Sequence, residues 1–209
     1  MIQAIEYASC CVYSPAGTGD VCRRSRLLRS LLKSGNSNFL LQYAWRVRRQ
    51  AAGGPPLAGF FRDTDVLVPV PGCAPCAAQR LCTAEHLAFA LVSAGLGASA
   101  WPGLHRVHAV PKSATAPPGS RPTVDLHYES FSIEQIPASP TGIILIDDVV
   151  TKGRTLLAAA SRLHEAFPRA QIRAFALLRT MGLTPGIAQF WEPCKGQIRW
   201  SSGDAHRSP

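Results

Sequence analysis

Two adjacent carboxylates, Asp147 and Asp148, are the side chains of this sequence best placed to do chemistry. They follow the apolar run GIILI at 142–146, and a polar turn with the sequence TKGRT comes after them at 151–155. The vicinal hydroxyl groups of a sugar can donate hydrogen bonds to such a carboxylate pair. The backbone N–H groups of a glycine-containing turn before a helix can hold a phosphate. The segment therefore predicts a sugar-phosphate site.

The TKGRT turn makes this prediction more specific than the carboxylates alone. Two adjacent aspartates could also form a structural turn or hold a magnesium ion in an unrelated enzyme. Gly153 lets the backbone approach a ligand closely, and the hydroxyl groups of Thr151 and Thr155 can bond phosphate oxygens. The motif G-x-x-x-x-G-K-[ST] does not occur. The one G-x-G-x-x-A match, at 95–100, follows a predicted helix instead of joining a strand to a helix.

Alternating strands and helices must position these residues. Apolar, β-branched runs predict strands at 65–71, 104–110, 142–146 and 172–178. Apolar residues at helical spacing predict helices at 77–93 and 154–167. This alternation predicts an α/β fold with a mainly parallel sheet and helices on both faces. Ligands of such sheets bind beyond the carboxyl ends of the strands, where the VPVPGC loop at 68–73 and a proline-rich, mobile loop at 111–122 would join the carboxylates.

The length of 209 residues favours one well-buried domain. We expect residues 1–60 to form an N-terminal helical extension packed on this domain, because helical patterns occur at 23–33 and 39–50. Residues 61–180 would form the core, and residues 181–209 a C-terminal hood or irregular tail.

The basic charge balance favours an anionic partner. The chain has 22 Lys and Arg against 13 Asp and Glu, a formal charge of +9. This excess does not distinguish a phosphorylated metabolite from nucleic acid. Eight of the basic residues fall early, at Arg23, Arg24, Arg26, Arg29, Lys33, Arg46, Arg48 and Arg49. They could form a solvated helix face or a phosphate-facing patch, and the few aromatic residues among them do not favour a stacking platform for single strands.

The sequence predicts a cytoplasmic protein. The start MIQAIEY lacks the basic and apolar regions of an export signal. Residues 87–104 carry no formal charge, but glycines and a proline interrupt the last third, so we do not expect a membrane span. Seven cysteines without an export signal favour reduced thiols.

One cysteine cluster leaves a zinc site open as an alternative. Cys73, Cys76, Cys82 and His86 form a C-x2-C-x5-C-x3-H array. This spacing is unusual for a zinc knuckle, and no second CxxC accompanies it. Ordinary core cysteines are the favoured interpretation.

The segment IILIDDVVTKGRT at 143–155 resembles the signature of the type I phosphoribosyltransferases, which bind phosphoribosyl pyrophosphate (PRPP). The segment VLVPVP at 66–71 resembles the ComF-type, competence-associated subgroup. The resemblance covers residues 66–179. It implies a mainly parallel sheet of about five strands with a small hood. It also implies Mg²⁺-dependent transfer of ribose 5-phosphate from PRPP to an acceptor, with release of pyrophosphate.

The resemblance also implies roles for individual residues. Asp147 and Asp148 would hold the ribose hydroxyls, directly or through Mg²⁺. The residues expected to bind PRPP are Val149, Val150, Thr151, Lys152, Gly153, Arg154 and Thr155 around the 5-phosphate, and Pro71, Gly72 and Cys73 beside the pyrophosphate. Lys112 or Arg121 would neutralise the leaving group. Carboxylates near the ring and cations near the pyrophosphate both suit a transition state that separates a cationic ribose from an anionic leaving group.

The acceptor is not named by any of these motifs. Trp101, Tyr128 and Trp191 could each stack on a base, and His127 could act as an acid or base, although core packing is the more common role of such residues. The chain departs from the ComF-type subgroup at two places. Cys10, Cys11 and Cys22 do not match its N-terminal paired CxxC module, and residues 79–82 read QRLC where the subgroup has RGFN.

Two functions are compatible with this sequence. The first is a cytoplasmic phosphoribosyltransferase with a nucleobase-like or amine acceptor, which could act as a homodimer. The second is a non-catalytic PRPP sensor whose basic N-terminal region contacts nucleic acid or a partner protein; nucleic acid is possible but not favoured.

Overall fold

A seven-stranded sheet forms the centre of the computed structural model, which describes residues 1–75, 82–111, 121–134, 139–181 and 186–209. Its strands in chain order are β1 (Ala4–Tyr13), β2 (Val66–Pro69), β3 (Ser99–Ala100), β6 (Gly142–Val150), β7 (Gln171–Thr180), β8 (Trp191–Ser201) and β9 (Asp204–Ser208). Their spatial order is β3-β2-β6-β7-β1-β8-β9, and β4 (Leu104–Arg106) and β5 (Phe131–Ile133) form a separate two-stranded sheet. The strands from β3 to β1 are parallel, whereas β8 and β9 form an antiparallel hairpin beside β1.

Helices cover both faces of the main sheet. They are α1 (Asp20–Lys33), α2 (Ser37–Ala52), α3 (Thr83–Ser93), α4 (Val124–Glu129) and α5 (Arg154–Ala166). The apolar sides of α1, α2 and α3 share one core with alternate strand residues, and those of α4 and α5 share the other. The α/β class, the mainly parallel sheet and the two helical layers are thus confirmed. The sheet has seven strands instead of about five.

The buried part of β6 explains the position of the carboxylates. Ile143 and Leu145 pack in the core beneath α5, whereas Ile144 and Ile146 pack in the core beneath α1 to α3. All four side chains are fully buried, because β2 and β7 flank the strand and helices cover both faces. Asp147 and Asp148 follow this run, so the strand delivers both carboxylates to the carboxyl end of the sheet.

The N-terminal segment contains the two expected helices as α1 and α2, but its first part differs from the expected helical extension. Residues Ala4–Tyr13 form β1, which lies inside the sheet between β7 and β8. Tyr7, Ala8, Cys10 and Cys11 are fully buried there. The run AIEYASCCVY has few β-branched residues and a charged one, so its strand propensity is low. Pairing on both sides, which the sequence does not reveal, decides its conformation.

The C-terminal segment also differs from expectation. The predicted irregular tail contains the β8–β9 hairpin, which closes with positive φ angles of 52° at Ser202 and 77° at Gly203. Two positive φ angles in a two-residue loop match the twist of antiparallel strands. The hairpin extends the main sheet instead of standing apart from it.

Two further elements lie differently from the prediction. Helix α3 begins at Thr83, where the backbone N–H of Cys82 donates to Glu85 Oε2 at 2.5 Å in a capping box. The first part of the predicted helix at 77–93 falls on residues 76–81, which lie outside the described part of the chain. The predicted strand at 104–110 is the shorter β4, which pairs with β5 and not with the main sheet.

In the described part of the chain, no helix is long and apolar enough to cross a membrane.

Candidate functional site at the carboxyl end of the parallel strands

The carboxylates of Asp147 and Asp148 lie close together near the carboxyl end of β6, which ends at Val150. The backbone N–H of Asp148 donates to Asp147 Oδ1 at 2.8 Å. Burial raises the pKa of Asp147 well above its usual range, the neighbouring charge of Asp148 raises it further, and Arg106 opposes this shift. A cation or several hydrogen-bond donors would stabilise the ionised pair, so the arrangement suits a ligand that brings either.

The TKGRT turn leads directly from β6 into α5. Gly153 precedes the helix with a φ of 89°, and a Cβ at this position would lie 2.7 Å from Ile198 side-chain atoms. Only glycine fits both the backbone conformation and the contact with β8. The first N–H groups of α5 have no partner within the helix, so they face the turn as hydrogen-bond donors. Both features suit an anion at this place.

The two cationic side chains of the turn bind an internal carboxylate. Lys152 Nζ lies 2.9 Å from Asp204 Oδ2, and the Arg154 guanidinium forms a two-point contact with the same carboxylate at 2.5 and 2.7 Å. Hydrogen bonds from Arg154, and then from Lys152, lower the pKa of Asp204 below its usual range. The β9 strand thereby fixes the turn. The hydroxyl and backbone N–H groups of the turn are neutral donors that could bind an anion.

Arg207 on β9 places a further positive charge at the turn. Its Nε donates to the carbonyl oxygen of Thr151 at 2.8 Å, and its Nη1 donates to the Tyr7 hydroxyl at 2.7 Å. Its Nη2 donates to the carbonyl oxygen of Thr180 at the end of β7. No local pattern indicates this role of Arg207, because the pattern of residues 181–209 predicts an irregular tail.

Arg106 on β4 is a buried cation beside the carboxylates, and sequence reasoning missed it. Its side chain donates to the carbonyl oxygen of Gly72, to Ser130 Oγ and to His127 Nδ1, the last at 3.0 Å. Burial lowers the pKa of Arg106 to about 10, while the negative potential of Cys73 and Asp147 raises it. Arg106 thus stays charged and connects the Gly72 loop electrostatically with the carboxylate pair.

His127 on α4 continues this contact to the TKGRT turn. An arginine can only donate, so His127 Nδ1 accepts from Arg106 and its proton resides on Nε2. Nε2 lies 3.3 Å from Thr155 Oγ1 and therefore donates to that oxygen. Burial lowers the pKa of His127 to about 4, and the charges of Arg106 and Arg154 lower it as well. His127 is consequently neutral near pH 7, and the Thr155 hydroxyl hydrogen is free to be donated to a ligand.

The pyrophosphate-side residues named from the sequence are tied to this network. Arg106 donates to the carbonyl oxygen of Gly72, and the backbone N–H of Val110 donates to the carbonyl oxygen of Cys73 at 2.8 Å. Arg121 is exposed, and its carbonyl oxygen lies 3.5 Å from Arg154 Nη1. Lys112 lies outside the described residues. The structure therefore brings together the carboxylates, the 71–73 loop and the TKGRT turn.

The residues considered for an acceptor base have other contacts. Trp101 packs edge to face against Phe167 with ring centroids 5.8 Å apart, in the core beneath α5. Tyr128 donates to Glu165 and lies beneath the guanidinium of Arg162 at 4.4 Å. Trp191 belongs to the core on the opposite face of the sheet. None of these contacts identifies an acceptor pocket.

The zinc alternative depends on Cys76, which lies outside the described residues. Cys82 caps α3, and a Cβ on Gly35 would lie 3.0 Å from the His86 ring. Among the described residues, no group of three or more His, Cys, Asp or Glu side chains could hold a metal ion.

No family model matches this chain, and no curated protein matches it.

Proposed function

We propose that this protein is a phosphoribosyltransferase that binds PRPP with Mg²⁺ and transfers ribose 5-phosphate to a nucleobase-like or amine acceptor. The sheet would then be a variant of the type I phosphoribosyltransferase fold. The observation that carries the proposal is the position of Asp147 and Asp148 in the last turn-facing part of β6, two residues before the TKGRT turn that leads into α5. A carboxylate pair that could accept hydrogen bonds from a diol thus lies close to a turn that could donate to a phosphate.

The carboxylate pair fits Mg²⁺ in its chemistry. Magnesium binds oxygen ligands and commonly uses one or two carboxylates, with water and substrate phosphates completing its shell. Asp147 and Asp148 offer such a donor set, and the raised pKa of Asp147 reflects burial and a repulsion that a divalent cation would relieve. When bound, Mg²⁺ would neutralise part of the charge of PRPP. The carboxylates themselves would accept hydrogen bonds from the ribose hydroxyls.

The TKGRT turn would bind the 5-phosphate mainly through neutral donors. The N–H groups at the start of α5 and the hydroxyls of Thr151 and Thr155 are the donors. His127 orients the Thr155 hydroxyl, since Nε2 donates to its oxygen. Asp204 holds Lys152 and Arg154 in place, so these two cations would contribute charge and rigidity at the turn more than direct contacts.

The reaction breaks the bond between ribose C1′ and the pyrophosphate oxygen, and the electron pair leaves with pyrophosphate. An acceptor nitrogen forms the new bond to C1′ and loses a proton to solvent or to a base on the acceptor side. Asp147 and Asp148 would stabilise the cationic ribose of the transition state. Arg106 would position the Gly72 loop beside the leaving group, with Lys112 or Arg121 as the cations that approach it directly.

Calorimetric titration with PRPP and Mg²⁺, followed by measurement of pyrophosphate release with a panel of bases and amines, tests the proposal. We expect saturable PRPP binding and pyrophosphate release with at least one acceptor. Absence of PRPP binding would refute the proposal. Binding without release on any acceptor would instead support a non-catalytic PRPP sensor.

A further inference from the structure

A basic surface lies on the face of the sheet opposite to α5. Helix α2 exposes Gln42, Trp45, Arg46 and Arg49, which follow one another at helical spacing along a single stripe. A depression of about 650 Å³ is lined by Gln42, Tyr43, Trp45, Arg46 and Arg49. A neighbouring one of about 370 Å³ is lined by Arg46, Arg49, Gln50, Gly53 and Trp191. Since they share Arg46 and Arg49, we treat them as one surface and call it the α2 groove.

The two arginines of the α2 groove are available to an anion. Arg46 and Arg49 are exposed, and neither forms an ion pair with a carboxylate in the part of the chain that the structure describes. Helix α2 contains no acidic residue, and Glu192 beside the groove pairs with Arg179. Uncompensated guanidinium groups of this kind are typical of phosphate-binding surfaces.

Arg48 on the same helix has a different role. Its Nη1 donates to the carbonyl oxygens of Ala94 at 2.6 Å and Gly95 at 3.2 Å, at the end of α3. These contacts satisfy carbonyl groups that a helix end leaves without partners. The structure therefore separates the basic cluster of α2 into one arginine that braces α3 and two that line the groove.

Aromatic rings accompany the two arginines, and the fold supplies one that the local sequence lacks. Trp45 is 47% exposed, and the Arg48 guanidinium lies over its ring at 5.6 Å from the centroid. Trp191, from the distant strand β8, lies beneath the Arg46 guanidinium at 4.0 Å and has its ring centroid 6.5 Å from that of Tyr43. Its Nε1 donates to Gln50 Oε1 at 3.5 Å, which holds the ring at the groove. The folded chain thus adds Trp191, from β8, to the few aromatic residues of α2.

We propose that the α2 groove binds a single-stranded nucleic acid, with phosphates on Arg46 and Arg49 and a base stacked on Trp45. Exposed aromatic faces next to unpaired arginines are the combination that unpaired nucleotides recognise, because every base offers a flat π surface beside a phosphate. A duplex keeps its bases stacked inside, and an acidic peptide has no need of the exposed tryptophan. The proposal is independent of PRPP chemistry, since no residue that lines the groove belongs to the carboxylate pair, the 71–73 loop or the TKGRT turn.

Fluorescence anisotropy with a labelled single-stranded oligonucleotide, measured over a range of salt concentrations, tests the arginines. The slope of log K against log salt is about 0.7 per phosphate contact for single strands, so Arg46→Ala with Arg49→Ala should reduce it by about 1.4. The charge-matched control is Arg23→Ala with Arg24→Ala on α1, for which we expect an unchanged slope. Equal effects of the two double variants would overturn the proposal in favour of general charge attraction.

The stacking contact is tested separately by Trp45→Ala and Trp45→Phe. A base stacked on an aromatic side chain contributes enough affinity that Trp45→Ala should weaken binding about 5-fold to 150-fold, while Trp45→Phe should retain most of it. Thermal unfolding of each variant checks the fold, which these exposed residues should not affect. Wild-type affinity of Trp45→Ala would overturn the stacking assignment.

Competitor ligands distinguish the proposed occupant from other anions. We expect an unlabelled single strand to displace the probe at far lower concentration than a duplex or polyglutamate. Equal competition by polyglutamate would overturn the proposal and assign the groove to acidic protein segments, and equal competition by the duplex would assign it to phosphate backbones in general. PRPP titration of the Arg46 and Arg49 double variant should match wild type, which keeps the two proposals separable.

Discussion

His127 Nε2 lies 3.3 Å from Thr155 Oγ1, and this contact joins α4 to the first turn of α5. Because His127 Nδ1 accepts from the buried Arg106, the ring has one tautomer and the Thr155 hydroxyl receives its proton. Arg106 in turn holds the carbonyl oxygen of Gly72. Two buried polar side chains thus link the two loops that would contact opposite ends of a phosphorylated sugar.

The neutral state of His127 predicts that stability falls in mild acid. The folded pKa is about 4 and the ordinary value is 6.5, so the unfolded chain binds more protons between these pH values. The contribution of His127 to the free energy of unfolding should therefore be complete above pH 6.5. It should decrease as the pH falls towards 4, by up to about 3 kcal/mol in total. Denaturant unfolding at several pH values measures this change.

His127→Gln should flatten that pH dependence, because a glutamine amide does not titrate in this range. The exposed His164 provides the matched control, and His164→Gln should keep the wild-type slope. The same pH dependence in His127→Gln as in wild type would show that other groups cause the loss of stability.

Asp148→Asn should weaken PRPP binding about 10-fold to 150-fold, since hydrogen bonds to a charged group contribute about 1.5 to 3 kcal/mol. The melting temperature of the free protein should change little, because the substitution removes a repulsion with Asp147 as well as a charge. Titration calorimetry with Mg²⁺ measures the affinity. Asp63→Asn, at an exposed position away from the carboxylate pair, is the control, and unchanged affinity in Asp148→Asn would mean that the pair is structural.

Asp204→Asn should destabilise the TKGRT turn, because Arg154 and Lys152 both lose their charged partner. We expect a decrease of about 1 to 3 kcal/mol in the free energy of unfolding. Inorganic phosphate should restore part of it, since the two cations become available to an anion. Thermal unfolding with and without phosphate measures both effects. Asp20→Asn, which removes an exposed pair with Arg23, should show neither effect.

Gly153→Ala should reduce both stability and PRPP affinity. The position has a φ of 89°, and the new Cβ would lie 2.7 Å from Ile198, so the turn must shift. Left-handed backbone at a residue other than glycine costs about 1 to 3 kcal/mol. Gly19→Ala is the control, because nothing lies within 4 Å of its Cβ position and its φ is ordinary. Denaturant unfolding and calorimetry would show the two losses together, and unchanged affinity would exclude the turn as the phosphate site.

Local patterns predicted β2, β6, β7 and α5 because each has an uninterrupted apolar signal. They missed β1, whose small and polar residues become a central strand only through pairing with β7 and β8. They also missed the C-terminal hairpin, in which Asp204 and Arg207 gain their roles from contact with the TKGRT turn. Sequence separation hides such contacts, because side-chain chemistry alone does not reveal a distant partner.

The sequence by itself determined the carboxylate pair, the glycine turn and the strand that carries them, because these features depend on residues close together in the chain. Tertiary structure alone decided the surroundings of the site. It brought Arg106 and His127 into the interior beside Asp147 and Thr155, and it paired Asp204 with Arg154. Burial is what gives these groups their effect, since removal from water keeps His127 neutral and strengthens the interactions of each charge. Burial exists only in the folded chain.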